Sequence, residues 1–403
     1  MADLVRASAV AGRMVLWEES ARDGAQAKTL MSAAFRVSLA RAQGRIFGEN
    51  GPAHVVFAAG FPAICDEEFD ATRRVAHEAA DAVSPAAVCR GTVDDVRQAC
   101  RAVAGAPQAR VMIVVPSSDE IADAMVHQPA ATALATVTDL VHAARDTAPE
   151  VAVDVCFADA PRAEVGLLAD RAEAVTDAGA GVIVIADTIG DLLPDQTTRL
   201  FTELRAAVSD RVVLASHLHN DLGLGVANTI AAVRSGVRVA ACSWLGMAER
   251  SGMVATEQLL FLLAHRADQL GLPAGLWPAP PDLTPLSAIA KAVSAETGVP
   301  LSVTTPIVGT GVGTISTGTP FVRPATFQPF DPELVGITPT VVLTHLASDR
   351  VVHAVAQRLG HDLHRGDTAA VRRWVKTQAY QRNDAVIPDV EFAGFLSTLR
   401  ASR

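Results

Sequence analysis

Short runs of β-branched and small apolar residues alternate along this chain with longer, Ala-rich amphipathic stretches. That alternation is the pattern of successive strand–helix units and predicts a parallel sheet. Eight such runs stand out, at residues 14–17, 54–58, 86–89, 111–115, 151–157, 182–186, 212–216 and 237–243. Eight strands, each followed by a helix-length segment, predict an α/β architecture that closes into a (β/α)8 barrel, with its chemistry on the loops at the strands' C-terminal ends. The barrel is assigned to residues 12–270. Gly and Pro then become frequent (GLPAGLWPAPPDLTP), which predicts a linker over 271–285. Residues 286–403 are assigned to a smaller, mainly helical accessory subdomain. It has a helical segment after Leu286, a Gly/Thr-rich loop over 308–320 and helical stretches over 340–359 and 368–381.

A length of 403 residues suits this division, since such a barrel takes roughly 250 residues. Half of the residues are hydrophobic, but no apolar run approaches the roughly 20 residues that cross a bilayer. The first dozen residues lack the apolar stretch and cleavage site of a signal peptide, so a cytoplasmic protein with no membrane partner is expected. The five cysteines are scattered without a CxxC pair, against both a disulfide framework and a zinc knuckle, and are expected to be buried thiols. A formal charge of −10 without a basic cluster makes nucleic acid an unsuitable partner. Only Lys28, Lys291 and Lys376 are lysines, which leaves few groups for Schiff-base chemistry.

The strongest chemical signal is Ser216-His217-Leu218-His219-Asn220-Asp221 at the end of the seventh predicted strand. Strand alternation puts His217 and His219 on one side, where two imidazoles can meet one metal ion. Alone, the motif also reads as polar residues at a strand end. The first strand runs into Glu18-Glu19-Ser20-Ala21-Arg22-Asp23-Gly24-Ala25-Gln26, bringing a carboxylate and a guanidinium to the same rim. Asp23 can supply a third ligand, leaving open positions that the carbonyl and carboxylate oxygens of a 2-oxo acid can fill. Arg22 would stabilise a developing enolate or alkoxide oxygen. A surface Arg–Asp pair beside a glycine turn is the plainer alternative. Asp187 and Thr188 end the sixth strand, where a hydroxyl could hold a substrate carboxylate or simply cap a helix. Glu249-Arg250 follows the eighth strand and could serve substrate or structure.

The ordered set of ARDGAQ, GFP (60–62), DTIG (187–190), HLHNDLGLGVAN (217–228), AERSG (248–252), PIVG (306–309) and FDPELVG (330–336) resembles the isopropylmalate synthase and homocitrate synthase family, itself related to hydroxymethylglutaryl-CoA lyase. The likeness spans most of the chain. It implies an acyltransferase that condenses an acyl-CoA, usually acetyl-CoA, with a metal-bound 2-oxo acid and hydrolyses the thioester to a 2-hydroxy di- or tricarboxylic acid. By the same resemblance Asp23, His217 and His219 hold a divalent metal ion (Zn, Mn, Co or Mg), Arg22 is the electrophilic arginine, Thr188 contacts the substrate carboxylate, and Gln26 lines the same pocket; Asp187, Asn220 and Glu249, at the ends of strands six to eight, are further candidates to bind substrate. It further implies a homodimer. The sequence ends at Arg403 without a segment like the family's amino-acid-sensing domain, so feedback of that kind is not expected.

The chain also departs from the family. Met253 stands where isopropylmalate synthases and lyases carry asparagine, and Glu19-Ser20 resembles the opening of homocitrate synthases; both lean toward that branch. A histidine-bearing loop of the second domain is replaced by Ile315-Ser316-Thr317-Gly318-Thr319-Pro320, and Ala158 stands where a glutamate is expected. Glu19, Asp159 and His345 are candidates to supply the missing acid–base group, because thioester α-proton removal needs a placed base. Two other readings remain: a metal-dependent carbon–carbon lyase or aldolase, and a non-catalytic homologue, which the intact Arg22, Asp23, His217 and His219 disfavour.

Overall fold

The computed structural model describes residues 2–401. Eight parallel strands close into a barrel in sequence order: β1 (Val15–Glu18), β2 (Val55–Gly60), β3 (Ser84–Arg90), β4 (Arg110–Pro116), β5 (Ala152–Ala158), β6 (Ala180–Asp187), β7 (Leu214–Leu218) and β8 (Val239–Cys242). Each expected strand forms, with ends displaced by a few residues. Pairing of β1 with both β2 and β8, Leu16 opposite Val55 and Ala240, completes the ring.

Alternate residues of every strand face inward. Val15, Trp17, Val56, Ala58, Ala86, Val88, Met112, Cys156, Val184, Ala186, Ala215 and Ala241 form one buried cluster, in which small residues leave room for Trp17 and Met112. The opposite set, including Ile113, Val155, Phe157 and Ile183, packs against helices bearing Val96, Leu140, Leu168 and Phe201. Apolar burial on both faces explains why these strands read as nearly continuous apolar runs.

The lower mouth is closed. Arg110, 1% exposed, pairs bidentately with Asp154 at 2.9 and 2.7 Å, and its other arm reaches Asp3. Asp3 also caps the helix Leu4–Val10 by accepting from the Arg6 N–H. Arg6 donates to the carbonyls of Gly181 and Arg211. The N-terminal helix is thus tied across the barrel bottom by charge-assisted bonds.

The chain divides into two compact units, Met1–Pro300 and Leu301–Arg403. This differs from the sequence-based division, because the Gly/Pro-rich stretch is packed onto the barrel. Leu272 and Leu276 are buried, and the Trp277 ring lies 5.1 Å from Phe47 and 5.6 Å from His54. The helix Leu286–Thr297 stays in the first unit. Its buried stripe of Leu286, Ile289, Ala290 and Val293 meets the helix Ala33–Arg45, and Glu296 accepts two bonds from Ser32.

In the second unit the helices Asp349–Arg358, Thr368–Arg382 and Asp389–Ala401 share a core of Val351, Val355, Val371, Val375, Phe392 and Leu396. The stretch expected to be helical from 340 becomes helix only at Asp349, after the Ser348 cap. Before it, β-branched Thr340, Val341 and Thr344 pair as short strands with Thr314–Ile315 and Val386–Ile387, the conformation their stiff side chains favour. Among the described residues no helix is long and apolar enough to cross a membrane. Four of the five cysteines are buried, whereas Cys65 is exposed.

Asp154→Ala is expected to lower unfolding free energy by about 3–5 kcal/mol, because it strands the buried Arg110 charge; denaturant unfolding of the two proteins checks this.

Candidate metal centre

The loop after β1 is fixed before any ligand arrives. The Glu19 N–H donates to the Cys242 carbonyl, and those of Arg22 and Gly24 donate to the Glu19 carbonyl. Ser20 uses its N–H on Glu18 Oε1 at 2.7 Å, while its hydroxyl meets Ser243 Oγ and accepts from the Trp244 N–H. The β1 and β8 ends are therefore stitched together. This stitching presents Arg22 and Asp23 over the barrel mouth.

His217 lies in β7 and His219 just beyond it, and both face inward as alternation requires. His219 is held by a bridge to Met253. Asp23 Oδ2 is 3.1 Å from His217 Nε2 and 3.8 Å from His219 Nε2, and the two Nε2 atoms are 3.4 Å apart. All three side chains are buried. Bonds of about 2.0–2.2 Å to one ion set neighbouring donors about 2.8–3.6 Å apart; two of the three separations fall in that range and the Asp23–His219 one is slightly longer, so these residues fit a divalent cation after a small closure. The buried Asp23 Oδ1, which has no hydrogen-bond partner, adds to the fit.

Electrostatics keep the donors in ligand form. Burial opposes ionisation of Asp23, yet Arg22 and the two imidazoles prevail and hold its carboxyl well below the usual range. Burial, reinforced by neighbouring His217, lowers His219 to about 4, leaving a neutral imidazole able to bind metal at neutral pH. Arg22 sits between two carboxylates: its Nε donates to Glu19 Oε2 at 2.8 Å, and its Nη2 is 3.7 Å from Asp23. Both raise its already high pKa, so the guanidinium stays charged although burial opposes it.

The remaining sequence candidates of the first unit follow the strand ends of the barrel. Thr188, half-buried after β6, accepts the Asp159 N–H at 2.9 Å, which leaves its hydroxyl proton free to donate. Asp159 is buried at the end of β5 with φ +63°. One of its oxygens receives Ser118 and Arg162, and the other has no partner. Asp187 is occupied by the N–H groups of Gly190, Asp191 and Leu192; it shapes its own loop. Asn220 Oδ1 accepts the Gly225 N–H. Glu249 is exposed and paired with Arg250 at 3.0 Å, and Gln26 is exposed on the turn Gly24–Ala27. His345 belongs to the second unit, edge-on to Tyr380 at 5.9 Å.

Two rim interactions escaped the sequence analysis. Arg250 holds Asp221 at 3.0 Å through two nitrogens and reaches the Thr188 carbonyl, stapling the loops after β6, β7 and β8. Gly190, at φ +70°, lies where a Cβ would meet Asp221 Oδ2 at 2.5 Å. The Ser118–Asp159–Arg162 cluster joins the ends of β4 and β5. The Ser118 helix cap and the Asp–Arg spacing of three were the available signals.

Fold and site together define a (β/α)8 barrel carrying an Asp–His–His set of the kind divalent ions take. The chain belongs to the HMGL-like family, whose pattern it matches over residues 13–293. It is 30% identical over 364 residues to the 2-isopropylmalate synthase of Acetivibrio thermocellus, covering 87% of this chain and 68% of that one. Over 344 residues it is 28% identical to 2-isopropylmalate synthase 1 of Caldanaerobacter subterraneus subsp. tengcongensis, covering 84% and 85%. It is 31% identical over 305 residues to the 2-isopropylmalate synthase of Neisseria gonorrhoeae, covering 74% of this chain and 48%, about half, of the relative. Crystal structures of hydroxymethylglutaryl-CoA lyase from Pseudomonas aeruginosa (TM-score 0.54, 20% identity, 70% of this chain and 92% of that one) and HMG-CoA lyase from Brucella melitensis (TM-score 0.55, 18% identity, 70% and 98%) share the fold.

Asp23→Ala or His217→Ala is expected to abolish stoichiometric binding of a divalent metal while leaving the barrel folded. Metal content after dialysis, with circular dichroism as the folding control, checks it.

Beneath the loop, burial pushes the Glu18 carboxyl up to about 8 despite donors from Ser20 and Thr256, and pushes Glu257 up to about 7. The folded protein keeps protons here that the unfolded chain releases near pH 4.5. Glu18 and Glu257 therefore contribute stability that declines as pH rises from about 4.5 to about 8, opposed below about pH 6.5 by the lowered His219. Glu18→Gln is expected to flatten this decline in thermal melts taken between about pH 5 and about pH 8.5.

Proposed function

We propose that this protein catalyses the condensation of an acyl-CoA with a 2-oxo acid, followed by thioester hydrolysis to a 2-hydroxy di- or tricarboxylic acid. The observation that carries the reading is the convergence of Asp23, His217 and His219 on one point, with the Arg22 guanidinium 3.7 Å from Asp23. A bound divalent ion would hold the 2-oxo acid by its carbonyl and carboxylate oxygens and polarise the ketone. Arg22, preset by Glu19, would stabilise negative charge on the ketone-derived oxygen. The Thr188 hydroxyl proton would meet the substrate carboxylate. Family membership and three relatives named 2-isopropylmalate synthase support this reaction class.

The α-proton needs an acceptor, and the first group to test is Asp159, whose second oxygen has no partner. Glu19 is engaged by Arg22, and His345 would have to act from the second unit. The relatives' names support an isopropylmalate-type acceptor, whereas Met253 and the opening motif support a homocitrate-type one. A homodimer in the cytoplasm, with acetyl-CoA as donor, completes the proposal. A carbon–carbon lyase on the same metal is the rival reading.

Release of free CoA thiol from acetyl-CoA and added divalent metal is expected with one acid among pyruvate, 2-oxoisovalerate, oxaloacetate and 2-oxoglutarate. Silence with every acid while metal is bound would count against this reading and favour the lyase. Arg22→Ala is expected to reduce kcat by roughly 10²–10³-fold with metal still bound. Asp159→Asn is expected to reduce it by roughly 10²–10⁴-fold, as loss of a placed base does; steady-state kinetics on metal-loaded protein check both.

A further inference from the structure

Two buried polar atoms face each other at the metal centre with no partner. Glu19 is 0% exposed, and its Oε1 makes no hydrogen bond; nor does His217 Nδ1, 3.7 Å away. That separation is too long for a hydrogen bond, which needs about 2.7–3.2 Å. Leaving two such atoms unsatisfied inside a protein costs free energy. The other Glu19 oxygen is already used, accepting Arg22 Nε at 2.8 Å.

The orientation of the His217 ring accounts for the pairing. His217 Nε2 lies 3.1 Å from Asp23, on the side of the candidate metal site, and its Nδ1 points away from that site toward Glu19 Oε1. A divalent ion bound at Nε2 requires that nitrogen to be unprotonated, so a neutral metal-bound ring carries its proton on Nδ1. Nδ1–H then needs an acceptor, and a movement of about 0.8 Å brings Glu19 Oε1 within reach. Metal-bound histidines commonly orient themselves by such a bond.

We propose that Glu19 is a positioning residue: its Oε1 accepts Nδ1–H of metal-bound His217 while its Oε2 holds Arg22, so one carboxylate aligns a metal ligand and the cationic side chain together. The inference rests on the metal site proposed above. Glu19 then sets both electrophilic groups rather than receiving the substrate's proton.

The test uses zinc affinity of the full chain by competition with a chromophoric chelator, together with nitrogen-15 NMR of histidine-labelled, zinc-loaded protein. Glu19→Gln and Glu19→Asp are both expected to bind zinc about 10- to 100-fold more weakly. Asp keeps the charge but loses the reach, so weakening in both variants separates positioning from simple attraction. In the wild type the His217 Nδ1–H, identified by its loss in His217→Gln, is expected to be shifted downfield by a carboxylate hydrogen bond. This measurement needs no Glu19 variant to fold. Glu19→Asp binding zinc as tightly as the wild type, or a His217 Nδ1–H without that shift, would overturn the proposal. A wild type that binds zinc but releases no CoA thiol overturns only the proposed reaction; one that binds no zinc overturns both.

Discussion

Closure of the barrel between β1 and β8 is the constraint on which the site depends. The β1 pairing leads directly into Glu19, whose N–H is bonded to the end of β8, and Ser20 fastens the next turn to Ser243 and Trp244. Without that seam Arg22 and Asp23 would sit on a free loop, where ordering them would cost backbone entropy at each turnover. With it, a carboxylate from the loop after β1 and two imidazoles from the end of β7 reach the same few ångströms. The cost is burial of ionisable groups, visible in the upward displacement of Glu18 and Glu257.

Charge balance links the seam to the chemistry. Glu19, Asp23 and Arg22 together carry one net negative charge in a buried setting, where electrostatic interactions are stronger than in water. A divalent cation would reverse that sign, and a monoanionic acid would then bring the centre to neutrality. At the opposite end of the barrel Arg110 is held by Asp154 and Asp3. At the C-terminal rim Arg250 joins Asp221 and the Thr188 carbonyl, cross-linking the loops after β6, β7 and β8 beside the candidate metal ligands.

Much of this was legible beforehand. The eight apolar runs specify eight strands because a barrel strand is buried on both faces, and its sequence shows it. His217 and His219 share a side because strand periodicity is two. What remained hidden involves partners far apart in the chain: Ser118 with Asp159, Arg250 with Asp221 and Thr188, and Ser20 with Ser243 and Trp244. The division at 271–285 was misleading because Gly and Pro report backbone conformation, whereas Leu272, Leu276 and Trp277 decide packing by burial.

The sequence by itself determined the barrel and the order of its strands and brought forward three candidate metal ligands, since each is encoded by local periodicity or by residue type at a strand end. The tertiary structure alone decided what each carboxylate does. Asp23 faces two imidazoles, Asp187 is consumed by backbone N–H groups, Asp159 is shared between a serine and an arginine, and Glu19 lies between Arg22 and His217. A carboxylate's role follows from the donors within about 3–4 Å of it, and folding brings most of those donors from distant parts of the chain.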